Sequence, residues 1–207
     1  MGQKVNPIAF RTGIMIGWRS RWYAPKKEFA DLLVEDYKIR QYIKHWRPKS
    51  ELADRRGRED RPVYSAIANI EIERTRDEVK VIVHTARPGL LIGRKGERIE
   101  ELQNELQMLT GRRVNIDVQE ITKPEIVAQL VAEDIAEQLT KRASFRRAMK
   151  RAMDMAMQAG AKGIKVQLSG RLGGAEMSRR EKAIMGSIPL STLRAKIDYG
   201  FAIAKIP

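Results

Sequence analysis

No cysteine occurs in the sequence, which excludes disulfides and thiolate-bound zinc outright. Histidine is almost as scarce: His45 falls in a charged connector and His84 in an expected strand, with no metal-ligand spacing around either. Apolar runs are short, and none approaches the roughly eighteen residues that a membrane span needs. Met1 leads through Gln3 and Lys4 into no apolar segment, so no secretory signal is expected, and Asn6 stands where N-myristoylation wants Ser or Thr. These absences suit a cytosolic protein without a structural metal, although a lack of cysteine is compatible with other compartments too.

Acid is also underrepresented. Forty Lys and Arg face 26 Asp and Glu, for a net charge of +14 and a pI near 10.2. An excess of that size points to a nucleic acid or an anionic membrane surface as partner. The hydrophobic fraction of 43% is enough for real cores, so the chain is not a disordered basic tail. Its 207 residues make one large domain or two of ordinary size.

The most informative stretch is Gly93-Arg94-Lys95-Gly96. It follows the apolar run Leu90-Leu91-Ile92 and precedes a helix with Ile99, Leu102, Leu106 and Leu109 on its packing face. Two glycines without Cβ flanking two cations let a polyanionic backbone come close. A string of that length is common by chance; its context is more specific. Upstream, Val79, Val81 and Val83 alternate with Lys80, Ile82 and His84, and downstream Gly111 is followed by Val114, Ile116 and Val118. Strand, short helix, Gly-Arg-Lys-Gly, long helix and strand in that order resemble the K-homology (KH) module, whose loop clamps single-stranded backbone.

Elsewhere the chain divides as follows. Residues 1–27 form a basic arm in which Lys4, Arg11 and Arg19 stand among Trp18, Trp22 and Tyr23. Two readings stand for it: stacking on bases with phosphate pairing, or aromatic side chains that pin the arm to protein. Residues 28–121 hold a helix to about Ile43, with Phe29, Leu33 and Tyr37 spaced by four and Leu32, Ile39 and Ile43 beside them, and three strands at 70–74, 79–85 and 114–118. Between them lies a basic connector at about 44–62, read as an exposed loop with a short helix near Leu52, either touching RNA or simply solvated. Pro124 marks the boundary to a domain of residues 122–207. There an acidic-faced helix (125–140, with Val127, Val131, Ile135 and Leu139) and a basic one (144–159) precede a strand with Ile164, Val166 and Leu168. Gly170 and Gly173-Gly174 break the ladder in a bend carrying Arg171, and strand is expected again at 177–180 and 193–204. On the basic helix Arg146, Arg147, Lys150 and Arg151 share one broad side, while Met149, Met153 and neighbouring alanines read as core. The fold class is α+β: a KH domain followed by two helices on an antiparallel sheet.

Catalysis finds no footing. Gly-Arg-Lys-Gly lacks the length and terminal hydroxyl residue of a nucleotide-triphosphate loop, and Gly170, Gly173 and Gly174 do not match the dinucleotide fingerprint. The Glu100-Glu101 pair lies on expected exposed helix positions. No enzyme, cofactor or metal is expected, and phosphate contacts alone would position RNA without naming its sequence.

Longer blocks carry a closer resemblance. The opening Met-Gly-Gln-Lys-Val-Asn-Pro, Lys27-Glu28-Phe29-Ala30-Asp31, His84-Thr85-Ala86-Arg87-Pro88-Gly89 leading into Ile92-Gly93-Arg94-Lys95-Gly96, Phe145-Arg146-Arg147-Ala148-Met149-Lys150-Arg151, and Gly160 through Val166 with Ser169 through Glu176 resemble the bacterial small-subunit ribosomal protein S3 family. Pro189-Leu190, Thr192 through Ala195 and Ile197-Asp198-Tyr199 extend the match over nearly the whole chain. The resemblance implies a type II KH domain, a place in the head of the small subunit on 16S rRNA near ribosomal proteins S10 and S14, and a basic helix that lines the mRNA entrance with S4 and S5. Carried over by motif, the unwinding cations are Arg146, Arg147 and Lys150, and the RNA loop is Gly93, Arg94, Lys95 and Gly96. Other candidate rRNA contacts are Lys4, Arg11, Arg19, Lys162, Arg171, Arg179 and Arg180. No membrane partner is implied. A free-standing KH-type RNA-binding or chaperone protein is the alternative. Three departures stand out: a longer 44–62 connector, a changed segment after Glu176, and an end at Pro207 where relatives continue with a further strand and a basic tail, so a continuation is an expectation.

Overall fold

Alternation of valines with polar residues along the third strand dictates a sheet with one buried face, and the computed structural model, which describes residues 3–46 and 66–205, contains it. In chain order the elements are α1 (Pro7–Arg11), β1 (Ser20–Arg21), α2 (Lys26–His45), β2 (Ile67–Arg74), β3 (Glu78–Thr85), α3 (Pro88–Ile92), α4 (Glu97–Thr110), β4 (Arg113–Glu120), α5 (Ala128–Thr140), α6 (Phe145–Gln158), β5 (Gly163–Gly170) and β6 (Arg179–Gly186). They form two compact units. Trp18 to Thr122 make one; the described residues up to Gly17 join those from Lys123 onward in the other. The arm expected over 1–27 is therefore divided at Gly17. Of the connector expected at 44–62, Lys44 and His45 complete α2 and Trp46 is buried; from residue 47 on it lies outside the described residues.

In the first unit the strands run in the order β1-β2-β3-β4. β2 and β3 are antiparallel around the Arg76-Asp77 turn, which Thr75 closes through its backbone N–H to the Glu78 carbonyl at 2.9 Å. β3 and β4 are parallel, a pairing that needs a crossover; α3, the glycine-flanked loop and α4 supply it. Val79, Val81, Val83 and Val114 are fully buried against Leu102 and Leu106 of α4 and Ile39 and Ile43 of α2. The three-strand expectation holds, and the sheet gains β1, parallel to β2 with Ser20 opposite Ile72.

Two helical registers differ from expectation. On α2 the buried positions are Leu32, Asp36, Ile39 and Ile43, whereas Phe29, Leu33 and Tyr37 are 47%, 51% and 63% exposed. The cause is Asp36. Its carboxylate accepts from Ser20 Oγ at 2.8 Å, Trp22 Nε1 at 2.8 Å and Arg74 Nε at 2.8 Å, and Arg74 also pairs with Glu35 at 2.9 Å. A buried acid with that many donors fixes which side of the helix turns inward. Burial also lowers the Arg40 guanidinium from its ordinary value, with Asp36 opposing the shift and Arg19 and Arg74 adding to it. On α4, Leu109 lies outside the core.

The second unit packs α5 and α6 on one face of the β5–β6 hairpin, around Ile135, Met149, Ala152, Met153 and Val166. The methionine stripe is core, as its spacing suggests. The later strands fall elsewhere: β6 begins at Arg179, and residues 193–204 are not strand. They are tied down locally instead. Asp198 Oδ2 accepts the Ala128 N–H at the start of α5 at 2.8 Å, and the Gln129 side chain exchanges two hydrogen bonds with the Phe201 backbone, 3.1 and 3.2 Å. Between them Gly200 touches the Ala128 carbonyl so closely that a Cβ would collide with it.

Candidate nucleic-acid interface

The loop between α3 and α4 is shaped by positive φ. Gly93 sits at φ 74°, Lys95 at 53° and Gly96 at 85°, a sequence of bends that ends α3 at Ile92 and restarts helix at Glu97. The two cations are exposed at its tip. Arg98 completes the shape: its stem lies over Gly93, where a Cβ would meet Arg98 Cγ at 2.5 Å, and its Nη1 donates to the Leu90 carbonyl at 3.0 Å. Glu97 and Glu100 occupy the first turn of α4 and offset the positive helix end. Arg94 and Lys95 are therefore the exposed positive charges of this loop.

A second cationic surface lies on α6. Ala148, Met149, Ala152, Met153 and Ala156 face inward. Opposite them a shallow groove of about 290 Å³ runs along the helix, lined by Arg147, Lys150, Arg151, Asp154, Met155 and Gln158. Steps of three, four, seven, eight and eleven residues keep these on one stripe, while Arg146, about 100° round from Arg147, falls on its flank. Arg146 lies 5.7 Å from the Phe145 ring centroid. Arg151, which the sequence puts on the same broad side but the family motif leaves out of the unwinding set, lines the groove as well.

The remaining candidates separate. Lys4, Arg19, Lys162 and Arg180 are exposed. Arg171 is exposed, with its Nε donating to the Ala175 carbonyl at 3.0 Å. Arg179 is partly committed, 3.2 Å from Glu181 and 5.5 Å from the Phe145 ring centroid. Arg11 is a correction: it is fully buried and donates to the carbonyls of Ala195, Pro7, Leu190 and Thr192 at 2.7, 3.0, 3.0 and 2.8 Å. With its side chain fully buried and four of its five N–H groups committed to carbonyls, this guanidinium is closed to phosphate. Among the described residues no group of three or more His, Asp or Glu side chains is placed to hold a metal, and no helix is long and apolar enough to cross a membrane.

A parallel-and-antiparallel sheet with a glycine-flanked cationic loop, followed by a two-helix unit with a cationic stripe, defines a KH-type RNA-binding protein with an appended α+β domain. Residues 59–126 match the family model "KH domain", and residues 135–207 match "Ribosomal protein S3, C-terminal domain". The small ribosomal subunit protein uS3 of Rhodopirellula baltica is 62% identical over 207 residues, covering all of this chain and 84% of that protein. Those of Aquifex aeolicus and Lachnoclostridium phytofermentans are 55% and 53% identical over 205 residues, 99% of this chain and 90% and 86% of theirs. The chain belongs to the uS3 family of small ribosomal subunit proteins.

Proposed function

We propose that this chain is a structural, non-catalytic, rRNA-binding component of the small ribosomal subunit in the cytoplasm, and that α6 lines the path by which mRNA enters. The family likeness supports the first part over the full chain. The observation that carries the second is the stripe of Arg147, Lys150 and Arg151, three exposed cations along one side of α6. Such a stripe holds a phosphate backbone without regard to base sequence, as a path for any messenger requires. Arg146 flanks it. Arg94 and Lys95 hold 16S rRNA from the KH loop, with exposed Lys4, Arg19, Lys162, Arg171 and Arg180 as further contacts. Ribosomal proteins S10 and S14 are the expected neighbours in the subunit head, and S4 and S5 at the mRNA entrance. Unwinding of structured mRNA would be driven by movement of the ribosome, with the cations gripping the strand as it passes.

Charge reversal tests this. With Arg146→Glu, Arg147→Glu and Lys150→Glu the chain stays folded, because all three side chains are exposed. Ribosomes carrying it slow more on an mRNA with a stable hairpin than on an unstructured one. Equal slowing on both templates rejects the unwinding role, and failure of the wild-type chain to co-sediment with small subunits in high salt rejects the ribosomal one.

A further inference from the structure

The apolar residues spaced by four along α2 find no place in the core. Phe29, Leu33 and Tyr37 point outward, while Leu32, Asp36, Ile39 and Ile43 face the sheet. Val34, 52% exposed, joins them. At about 100° per residue, Phe29, Ala30, Leu33, Val34 and Tyr37 fall within one sector of roughly 140°, a continuous apolar stripe along the solvent side of the helix. Its first member is held in place: the Phe29 ring lies against Trp22 with centroids 5.3 Å apart, and Trp22 is fixed by its Nε1 donating to Asp36 at 2.8 Å.

Single exposed apolar side chains are ordinary, but four large ones on one stripe mark an interaction surface. The border of the stripe is cationic. Lys26 and Lys27 stand at its start, Lys38 lies one turn beyond Val34, and Lys44 stands at its far end. All four are exposed, and none of their side chains makes an ion pair or hydrogen bond among the described residues. Asp31, three residues before Val34, is the one acid on the border; Glu28 lies roughly 170° round from the middle of the stripe. Leu33 and Val34 at the centre can neither pair with phosphate nor stack on a base, so the stripe is not built for RNA. Two copies of the chain packed stripe to stripe would set Lys26 and Lys27 against Lys44 when antiparallel and against their own equivalents when parallel, which repels in either direction.

We propose that this stripe docks an amphipathic helix of another protein, one whose own apolar side is bordered by Asp or Glu. Phe29, Leu33 and Tyr37 form a ridge of residues four apart, the kind that packs into the groove of a facing helix. The lysines around it meet the partner's acids at the rim, where charge selects the partner and its direction. Four large side chains about half exposed offer on the order of 400 Å², half of the ~800 Å² that each partner gives to a stable interface. The docked helix therefore belongs to a protein held at a second place as well, as a component of a shared particle is.

Because the sequence has no cysteine, Leu33→Cys supplies a single thiol at an exposed position of the stripe. In purified small subunits carrying that variant, an arm that rests on the ribosomal role proposed above, maleimide labelling of the thiol should be about tenfold slower than in the free chain. A photo-crosslinker attached there should join a protein segment with aliphatic residues at helical spacing and Asp or Glu beside them. Equal labelling rates overturn the proposal, as does a crosslink to RNA alone or to a second copy of this chain. Absence of the chain from the subunits defeats the ribosomal reading instead, and the stripe is then judged by a second arm that needs no particle. A fluorescent helical peptide with a leucine stripe and a glutamate border should bind the free chain about tenfold more tightly than it binds the variant Leu33→Gln, Tyr37→Gln. The same peptide with a lysine border should bind neither. Equal affinity of the glutamate peptide for both chains overturns the proposal. So does adsorption to anionic lipid vesicles that the double variant abolishes, because the stripe would then be a membrane anchor.

Discussion

Gly93 shows how one position can answer to two constraints. Its φ of 74° disfavours any residue with a Cβ, and the Arg98 stem occupies the place a Cβ would take. Gly93→Ala should cost about 1–3 kcal/mol for the backbone alone, and it also pushes Arg98 off the Leu90 carbonyl. Gly96→Ala meets nothing closer than Ile99 Cγ2 at 3.9 Å, so it should cost less. All three tryptophans of the sequence, Trp18, Trp22 and Trp46, lie in the unit that holds this loop, so their fluorescence in urea reports its unfolding. Equal midpoints for the two variants would falsify the role given to Arg98. The glycines and cations of the loop were legible in the sequence because their chemistry is local. Arg98 was not, and neither was Asp36. A carboxylate on a helix reads as solvated until the donors that surround it, drawn from β1, β2 and Trp22, are brought together by the fold.

Elements meet through similar non-local polar contacts. The Glu105 carboxylate on α4 accepts from Tyr42 Oη at 2.7 Å and from Trp46 Nε1 at 2.6 Å, joining the end of α2 to the middle of α4. Burial pushes the Tyr42 hydroxyl up from 10.0 to about 12, with the hydrogen bond to Glu105 and the charges of Glu105 and Glu101 adding to it. A group whose pKa is raised by folding keeps its proton in the native chain after the unfolded chain has lost it. The contribution of this contact is therefore whole below pH 10 and drains away as pH climbs from 10 towards 12. In an absorbance titration Tyr42 should ionise near pH 12 rather than at the ordinary 10.0, and Glu105→Gln should lower that midpoint. Ionisation of Tyr42 at the ordinary value, unchanged by Glu105→Gln, would show that the α2–α4 contact is not formed in solution. Periodicity found α2, α4, α5, α6 and β2 to β5, where burial follows the apolar pattern. On α2 it found Leu32, Ile39 and Ile43, which are buried, but counted with them Phe29, Leu33 and Tyr37, which are exposed because Asp36 helps set the inward side. It also read 193–204 as strand, because an extended segment fixed by Asp198 and Gln129 shows the same alternation as one fixed by a neighbouring strand.

At the scale of the whole molecule, the described residues up to Gly17 belong with those from Lys123 onward and not with what directly follows them. Composition near Pro124 reveals the second boundary. The first is invisible to sequence patterns because it rests largely on a single side chain reaching 184 positions along the chain, Arg11 Nε to the Ala195 carbonyl. Asn6 prepares that reach by capping α1, its Oδ1 accepting the Ile8 N–H at 2.9 Å, and α1 ends on Arg11 itself. The guanidinium then gathers the carbonyls of Leu190, Thr192 and Ala195, none of which has a strand to pair with. Arg11→Met keeps much of the stem's volume and removes every one of those bonds. Buried carbonyls left without a donor should cost on the order of 3 kcal/mol, felt first where the segment is held by little else. Amide hydrogen exchange should therefore speed up at Leu190, Thr192 and Ala195, and at Ala128, whose N–H depends on Asp198 in the same segment. The β3 amides should hold as in the parent chain. If exchange at those four positions is unchanged, the two ends of the chain are joined by something other than Arg11, and its place among the RNA contacts reopens.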